Sequence, residues 1–400
     1  MVKEWVITVY LLFFKCLFNV FKLFSLKKKT TFVLSFKQNG WFIYNQIKKQ
    51  QIPDDLVFLC KNDIDLQLED AKIIGLETIN PIDWIKSIYH LATSNNVIID
   101  NYYGFLSAIA FKKDVQCIQL WHAAGAIKTF GLKDRSVSYR PKRAQKRFME
   151  VYSKFNKIVV GSEAMANIFI EAFNLPPERI LRTGVPRTDL FYDKKMQKGI
   201  IERLERQIPD LGDKKVILYA PTYRDEALDS FDLHLDLEKM AQELAGEYIV
   251  LLRLHPAIKG KWNDAGKYPK FVYDYSDYPD INELLLITDV LITDYSSIPY
   301  EFALLNKPMI FYPYDLDDYQ KSRGLWRDYS HSIPGPIVYS TDEIIKWIKQ
   351  GQFDLKKIEA FAKKWNEYSS GHSSQFLIDY LYMPTFGTKK LVKEKRMISH

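Results

Sequence analysis

Short apolar runs rich in β-branched residues alternate with segments of helical periodicity along most of the chain. The strand-like runs fall at residues 31–36, 56–60, 97–100, 115–120 and 157–160, and again at 216–219, 248–254, 290–293 and 309–311. Helical patterns separate them at 41–49, 83–93, 143–155 and 163–173, then at 237–244, 281–288 and 299–306, with further helix over 342–382. This alternation predicts parallel sheets built from βαβ units.

Because the alternation comes in two series, we expect two doubly wound, Rossmann-like domains of the α/β class. The first is placed at residues 30–200 and the second at 201–384, with the change of domain in the charged segment 191–213. Ligands of such folds bind outside the carboxyl ends of the strands, so a cleft between the domains is the predicted site. Residues 385–400 are lysine-rich and are expected to form a frayed basic tail.

Residues 1–29 form a separate segment that is apolar and aromatic. Lys15 and Lys22 interrupt it, so its charge-free run is shorter than the roughly 20 residues that a spanning helix needs. Glu4, Thr8 and Asn19 share a helical face with the two lysines, and apolar side chains surround that face. This pattern predicts an amphipathic helix in a membrane interface. The alternative is a helix packed on the protein's own core.

Composition and charge narrow the classes of function. With 47% apolar and 26% charged residues in 400, the composition is that of an ordinary globular protein. The net charge of +7 comes from the two ends of the chain, and the body between them is slightly acidic. This argues against nucleic-acid binding and favours basic ends that touch an anionic surface. The three cysteines lack paired spacing, which predicts neither a disulfide framework nor a zinc site and fits a reducing compartment.

Two histidines and an arginine follow predicted strands. His122 precedes small residues and Gly125, so its imidazole is expected to face the cleft as a general base. The alternative is a histidine that hydrogen-bonds loop backbone. Arg224 has a planar fork that suits phosphate oxygens, unless it pairs with the adjacent Asp225. His255 is a second cleft histidine or, alternatively, a capping or core histidine.

The most specific pattern is an apolar strand followed by an acid, two serines and a helix opened by proline. These residues are Asp294, Ser296, Ser297 and Pro299, and the helix contains Glu301. Free N–H groups at a helix start bind anions, so backbone and hydroxyls together are expected to hold phosphate oxygens. The alternative is simple capping with nothing bound.

A charged loop is predicted after the strand at 309–311. It would bind ribose or glycerol hydroxyls or stay solvated, and its residues are Asp315, Asp317, Asp318, Tyr319, Arg323 and Gly324. No zinc-protease, Walker or dinucleotide-binding motif occurs in the sequence. Neither a metal nor a cofactor is therefore expected.

Together, several stretches resemble the CDP-glycerol glycerophosphotransferase family of teichoic acid synthesis. They are LWH at 120–122, KTFG at 128–131, GVPRTD at 184–189, APTYRD at 220–225, RLHP at 253–256, TDYSS at 293–297 and EFA at 301–303. The resemblance covers roughly residues 95–380. It implies a GT-B fold and transfer of a nucleotide-activated polyol phosphate to an undecaprenyl-linked acceptor at the cytoplasmic membrane face.

The resemblance also implies roles for individual residues. His122 would deprotonate the acceptor hydroxyl. Asp294 and Glu301 would order the site or touch the nucleotide and polyol. The pyrophosphate of CDP-glycerol would be held by Arg224, His255, Ser296 and Ser297. The remaining substrate-binding residues would be Thr222, Gly125, Lys128, Asp317 and Arg323.

One departure from the family pattern points to a subgroup. Chain-extending members carry Gly-Thr-Pro after the histidine, where this chain has Ala123, Ala124 and Gly125. This departure, together with a chain length that leaves no room for a further acceptor-binding domain, favours a primase. Such an enzyme adds the first glycerol phosphate to the N-acetylmannosamine hydroxyl of undecaprenyl-diphosphate-linked GlcNAc-ManNAc and releases CMP.

Three alternatives stay open at this point. They are a chain-extending glycerol- or ribitol-phosphate transferase, a GT-B sugar-nucleotide glycosyltransferase, and a non-catalytic protein that binds lipid surfaces. The expected location is peripheral, on the cytoplasmic face of the bacterial cell membrane. The expected partners are CDP-glycerol, the lipid-linked disaccharide and the membrane surface, without nucleic acid, and a homo-oligomer is left open.

Overall fold

The computed structural model describes residues 2–61, 66, 68–208, 210–222, 224, 233–254 and 265–383. The chain forms two compact units. Unit 1 comprises Met1–His122, Phe130–Asp189 and Tyr368–His400, and unit 2 comprises Ala123–Thr129 and Leu190–Glu367. This division differs from the predicted single boundary at 200/201, because a short segment after His122 belongs to unit 2 and the end of the chain returns to unit 1.

The sheet of unit 1 is parallel, with the strand order β3-β2-β1-β4-β5-β6-β7. Its strands are β1 (Lys27–Leu34), β2 (Asp55–Cys60), β3 (Ala71–Gly75), β4 (Ser94–Ile99), β5 (Gln116–Gln119), β6 (Lys157–Val159) and β7 (Ile180–Leu181). The strand order reverses between β1 and β4. The carboxyl ends of these two strands are therefore the switch point, where doubly wound sheets bind ligands.

The helices of unit 1 cover its sheet. They are α1 (Val2–Phe21), α2 (Lys37–Lys49), α3 (Pro81–Thr93), α4 (Arg135–Ser138), α5 (Lys142–Tyr152), α6 (Glu163–Phe173) and, at the end of the chain, α15 (Ser373–Tyr382). Phe32 and Phe58 stack at 4.4 Å within a buried cluster that also contains Ile43 and Leu377. The last helix of the chain thus completes the first core.

The sheet of unit 2 is also parallel, in the order β10-β9-β8-β11-β12. Its strands are β8 (Lys215–Ala220), β9 (Tyr248–Leu252), β10 (Val272–Asp274), β11 (Val290–Thr293) and β12 (Met309–Phe311). The switch point lies at the carboxyl ends of β8 and β11. The helices are α7 (Lys194–Gln207), α8 (Leu237–Leu244), α9 (Ile281–Ile287), α10 (Ile298–Phe302), α11 (Leu316–Arg323), α12 (Tyr329–Ser332), α13 (Thr341–Gln350) and α14 (Leu355–Trp365).

The predicted α/β class with two parallel sheets is confirmed, but three strands escaped the sequence pattern. They are β3, β7 and β10. The strands β7 and β10 are only two and three residues long, too short for a periodicity. In β3, Lys72 and Ile73 are both exposed, as expected for an edge strand without a continuous apolar run.

Helix α1 is docked on unit 1 along one stripe only. Phe14 and Phe18 are buried, and Phe14 stacks on Phe105 at 5.0 Å between ring centroids. On the other side Trp5 and Leu12 are 71% and 60% exposed. Helix α1 therefore packs on the protein's own core, as the alternative held, and it also has an exposed apolar face. The segment Glu4–Phe21 is also long and apolar enough to cross a membrane by length and composition, which corrects the expectation that it is too short.

Asp189 fixes the start of α15 in unit 1. Its carboxylate accepts the N–H groups of Ser373 and Ser374, at 2.8 and 2.9 Å, and is buried. Gly184 has φ +80°, and a Cβ there would lie 2.3 Å from the Ser373 hydroxyl oxygen. The first and last residues of the GVPRTD stretch therefore serve helix docking.

A second buried carboxylate joins the ends of β1 and β4. Asp100 accepts the N–H of Ser35 at 2.9 Å, the N–H of Phe36 at 2.7 Å and the hydroxyl of Tyr103 at 2.8 Å. Burial raises the pKa of Asp100 to about 6, although these three donors act in the opposite direction. The turn into α2 is thereby fastened to β4.

We expect Asp189→Ala to lower the free energy of unfolding by about 2 kcal/mol, because it leaves two buried N–H groups without an acceptor. The control is Asp193→Ala, which removes the solvent-exposed cap of α7 on the Met196 N–H. Its expected loss is about 1 kcal/mol or less. Urea unfolding measures both, and equal losses would contradict the role given to Asp189.

The pH dependence of stability tests Asp100. Since its pKa is about 6 in the folded protein against an ordinary value of 3.8, the folded state binds this proton more tightly than the unfolded state. Its contribution to stability is fully present below the ordinary pKa and is lost as the pH rises through about 6. In urea titrations we expect the wild type to lose stability relative to Asp100→Asn over this interval. A constant difference between the two proteins would refute the raised pKa.

Candidate functional site

His122 follows the carboxyl end of β5 in unit 1 and is half-buried. Its ring packs against those of Trp121 and Phe36, with centroids 4.4 and 4.9 Å away. Its Nδ1 lies 3.3 Å from the backbone oxygen of Asp100. Because a carbonyl oxygen only accepts, this contact calls for the proton on Nδ1, and in the neutral ring the basic lone pair is then on Nε2. The histidine thus hydrogen-bonds loop backbone, as one alternative held, and this contact fixes the tautomer that a general base needs.

Asp294 connects the two loops at the switch point of unit 2. It is 1% exposed, and its Oδ1 accepts the N–H of Thr222 after β8 and the N–H of Tyr295 after β11, at 2.8 and 2.6 Å. The Thr222 hydroxyl is buried and makes no hydrogen bond to any part of the chain that the structure describes. The geometry gives Asp294 an ordering role and leaves a buried hydroxyl beside it.

Arg224 is held by two carboxylates. Its Nε and Nη2 donate to Asp315 at 2.7 and 2.9 Å, and Nη2 also lies 2.9 Å from Oδ2 of Asp294. Although burial alone would raise it, the hydrogen bonds from Arg224 hold the pKa of Asp315 below its usual range. The fork predicted for phosphate is therefore occupied by carboxylate. The rings around the guanidinium, at 4.9 to 5.1 Å, are those of Tyr295, Tyr314 and Tyr319.

The serine turn after β11 has part of the predicted geometry. The Ser296 hydroxyl accepts the N–H of Ile298 at 3.0 Å, while Ser297 precedes α10 without a side-chain cap bond. The predicted helix at 299–306 is in fact α10, of five residues, followed by a 3-10 turn that ends at Leu305. Glu301 is buried, and its Oε1 accepts the N–H of Ala124 at 3.0 Å.

The segment Ala123–Thr129 is an integral part of unit 2. Gly125 packs so closely on Tyr300 that a Cβ would lie 2.3 Å from a ring carbon. The backbone of Lys128 pairs with that of Leu325 in an isolated antiparallel β-bridge. The N–H of Thr129 donates to the Gly324 carbonyl at 3.2 Å. The structure thus explains Gly125 by close packing.

The Lys128 side chain has a different environment from that of Arg224. It is half-buried, and its ammonium makes no hydrogen bond or ion pair with a described residue. Burial lowers its pKa; the charge of Asp294 raises it, and Arg323 and Arg224 lower it. A half-buried ammonium among other cations is suited to an anionic ligand.

The predicted charged loop after β12 is a helix. Asp317 is exposed in the first turn of α11, and Arg323 is exposed in its last turn. The Arg323 carbonyl accepts the Thr129 hydroxyl at 2.9 Å. His255, the second predicted histidine, lies outside the described residues, as do Asp225 and the basic tail 385–400.

Sequence reasoning gave no site role to Asp100, and it placed Asp315 in a hydroxyl-binding or solvated loop without linking it to Arg224. Asp100 was the last residue of a predicted strand, and an acid at a strand end is a signal that could have been used. Asp315 lies 91 residues from its partner Arg224, and only the fold brings them together. Among the described residues, no group of three or more His, Cys, Asp or Glu side chains is placed to hold a metal ion.

Comparison with known proteins identifies relatives that match most of the chain. A family model described as CDP-Glycerol:Poly(glycerophosphate) glycerophosphotransferase matches residues 16–383. The teichoic acid glycerol-phosphate primase of Bacillus subtilis (strain 168) is 39% identical over 359 residues, which cover 89% of this chain and 92% of the primase. The teichoic acid poly(ribitol-phosphate) polymerase of Bacillus spizizenii is 36% identical over 92% of this chain, but the chain spans only 58% of that polymerase.

Solved structures agree with these relatives. The structure of the wall teichoic acid polymerase TagF superposes with a TM-score of 0.81 at 26% sequence identity. The match covers 96% of this chain and 98% of the TagF structure. A variant of TagF soaked with CDPG gives the same TM-score at 25% identity. Since the family model matches most of the chain, the chain belongs to the CDP-glycerol glycerophosphotransferase family of teichoic acid biosynthesis.

Proposed function

We propose that the chain is a primase, which transfers glycerol phosphate from CDP-glycerol to the N-acetylmannosamine hydroxyl of undecaprenyl-diphosphate-linked GlcNAc-ManNAc and releases CMP. Two observations support this acceptor. The chain is 39% identical to the teichoic acid glycerol-phosphate primase of Bacillus subtilis over 359 residues. In addition, Ala123, Ala124 and Gly125 replace the Gly-Thr-Pro of chain-extending members.

In the proposed step, the acceptor oxygen attacks the β-phosphorus of CDP-glycerol. A P–O bond forms to the acceptor, the bond from that phosphorus to the CMP oxygen breaks, and the hydroxyl proton passes to a base. We assign the base to His122, because the Asp100 carbonyl holds Nδ1–H and directs the basic lone pair to Nε2. This contact is the observation that carries the mechanism. His255 keeps its proposed place at the pyrophosphate.

We assign the phosphates of CDP-glycerol to unit 2. Arg224 is committed to Asp294 and Asp315, so its proposed role changes from a phosphate ligand to a positioning residue. Lys128 takes over the phosphate contact, because its half-buried ammonium has no ion pair with any described side chain. Charge builds up on the non-bridging oxygens during transfer, and a fixed cation stabilises it.

Hydroxyl donors complete the proposed donor site. The Thr222 hydroxyl is buried without a hydrogen bond among the described residues, and Ser296 and Ser297 lie on the neighbouring loop. Glu301 keeps an ordering role through its contact with Ala124. Under this proposal unit 2 binds the donor and unit 1 binds the acceptor.

We also propose that α1 attaches the protein peripherally to the cytoplasmic face of the membrane. Its buried stripe through Phe14 and Phe18 docks it on unit 1, and its exposed aromatic and aliphatic face is left for lipid. Exposed Lys15, Lys27 and Lys28 add attraction to anionic headgroups.

The transfer assay uses purified protein, CDP-glycerol and a short-chain analogue of the disaccharide-diphosphate lipid. We expect release of CMP and, by mass spectrometry, a product one glycerol phosphate heavier than the acceptor. His122→Ala should lower kcat by about 10²- to 10⁴-fold. Lys128→Met should lower kcat/KM by about 10- to 100-fold, mainly through a higher KM for CDP-glycerol, because it removes a charged phosphate contact.

The control for the lysine variant is Lys321→Met, on the exposed surface of α11, which should leave both constants unchanged. Consumption of CDP-ribitol alone or addition of many units would favour a chain-extending enzyme. Turnover of a sugar nucleotide alone would favour a glycosyltransferase. Near-normal turnover by His122→Ala would refute the proposed base.

Vesicle sedimentation tests the membrane proposal. Replacing Trp5, Val9 and Leu12 together by serine should weaken binding to phosphatidylglycerol vesicles at least tenfold, because each lost apolar side chain costs about 1.5–3 kcal/mol of burial in lipid. The melting temperature should change little, since these side chains are exposed. The matched control replaces exposed Tyr339 and Leu355 of unit 2 by serine. Equal vesicle binding by both variants would rule out α1 as the attachment site.

A further inference from the structure

Trp121, the residue before His122, has an unusual backbone conformation. Its φ is +59°, in the left-handed region that bulky side chains rarely adopt. Such conformations persist only where the surroundings impose them, and they cluster at functional sites. Contacts with other parts of unit 1 therefore have to hold Trp121 in this conformation.

Two buried side-chain amides bind the backbone of Trp121. Gln119 accepts the Trp121 N–H at 2.8 Å, and its own amide nitrogen donates to the Asn101 carbonyl at 3.0 Å. Asn39 donates to the Trp121 carbonyl at 2.9 Å, and its oxygen accepts the Arg187 N–H at 3.0 Å. The backbone partners fix which amide atom is oxygen and which is nitrogen. Both polar groups of the Trp121 backbone are thus tied to other parts of unit 1.

Both amide side chains are buried, which strengthens their hold on the Trp121 backbone. Gln119 is 0% and Asn39 is 3% exposed, so water does not compete for their hydrogen bonds. The Trp121 ring is also held, since it stacks on Phe130 at 4.7 Å and meets Phe169 edge-on at 5.7 Å. The conformation of Trp121 is therefore determined from the backbone and from the ring.

We propose that Asn39 and Gln119 are positioning residues for the transfer reaction. By holding Trp121 in the left-handed conformation, they place the His122 imidazole where its Nδ1–H meets the Asp100 carbonyl. If Trp121 relaxed to an extended φ, the next residue would swing away and this hydrogen bond would be lost. Without it the imidazole is free to take the other tautomer, in which Nε2 carries the proton and is no base. This inference rests on the proposed role of His122.

Asn39→Asp is the sharpest variant, because it is isosteric and changes one contact. It keeps the oxygen that accepts the Arg187 N–H and places a second oxygen against the Trp121 carbonyl. Asn39→Ala removes both contacts and serves as the second variant. We expect both to lower kcat by about 10- to 100-fold, since small misplacements of a catalytic group have effects of this size. The KM for CDP-glycerol should stay within about twofold, because the proposed donor residues belong to unit 2.

A spectroscopic readout separates positioning from a general loss of structure. Nitrogen-15 spectra of histidine-labelled protein, with His122→Asn to assign the signal, should show His122 protonated on Nδ1 in the wild type. In the Asn39 variants we expect loss of this form and a displaced pH profile of kcat/KM. The matched control is Asn96→Ala, a buried amide in β4 that donates to Thr30. It should affect stability without changing kcat or the His122 tautomer.

The outcomes are distinguishable from one another. If Asn39→Asp keeps a normal kcat while His122→Ala is inactive, the positioning role is wrong and the base stands. A loss of kcat no greater than that of Asn96→Ala, or an unchanged His122 tautomer, also overturns the inference. If His122→Ala is active, the proposed base itself fails.

Discussion

A buried carboxylate at the switch point of each sheet holds the loops that carry the candidate chemistry. In unit 1, Asp100 follows β4 and accepts N–H groups from the loop after β1. In unit 2, Asp294 follows β11 and accepts the N–H of Thr222 from the loop after β8. The two strand pairs occupy equivalent positions in their sheets. Both sheets therefore use the same device: an acid after one central strand fastens the loop after its neighbour.

The two carboxylates differ in how their burial is compensated. The donors to Asp100 are neutral N–H and O–H groups, and desolvation raises its pKa to about 6. Asp294 instead lies 2.9 Å from the guanidinium of Arg224, which also binds Asp315. A charged partner lowers the cost of keeping a carboxylate ionised when it is buried. Arg224 therefore supports the loops of unit 2 through its ion pairs with these two acids.

The sequence was most informative where a pattern is long or a residue is adjacent to a strand. The strands β2, β8 and β9 contain apolar runs of five residues, and β1 and β4 contain apolar runs of three. Asp294 directly follows β11, and His122 lies three residues after the end of β5. Length alone does not explain the strands that were missed: β10 and β12 are both edge strands of three residues, but only the all-apolar β12 was predicted. The role of Arg224 was also out of reach, because Asp225 is its neighbour in sequence while Asp315 becomes its neighbour only in the fold. Contacts between distant residues decided the chemistry of that guanidinium.

The partner of His122 shows why a backbone carbonyl suits this site. A carboxylate bonded to Nδ1 would fix the same tautomer, but its charge would raise the pKa of the imidazole and favour the protonated ring at neutral pH. The Asp100 carbonyl directs the tautomer without adding a full charge at the hydrogen bond. Meanwhile the Asp100 carboxylate is engaged by Ser35, Phe36 and Tyr103. One residue thus performs two separate tasks: its side chain anchors the loop after β1, and its backbone carbonyl orients the imidazole of His122.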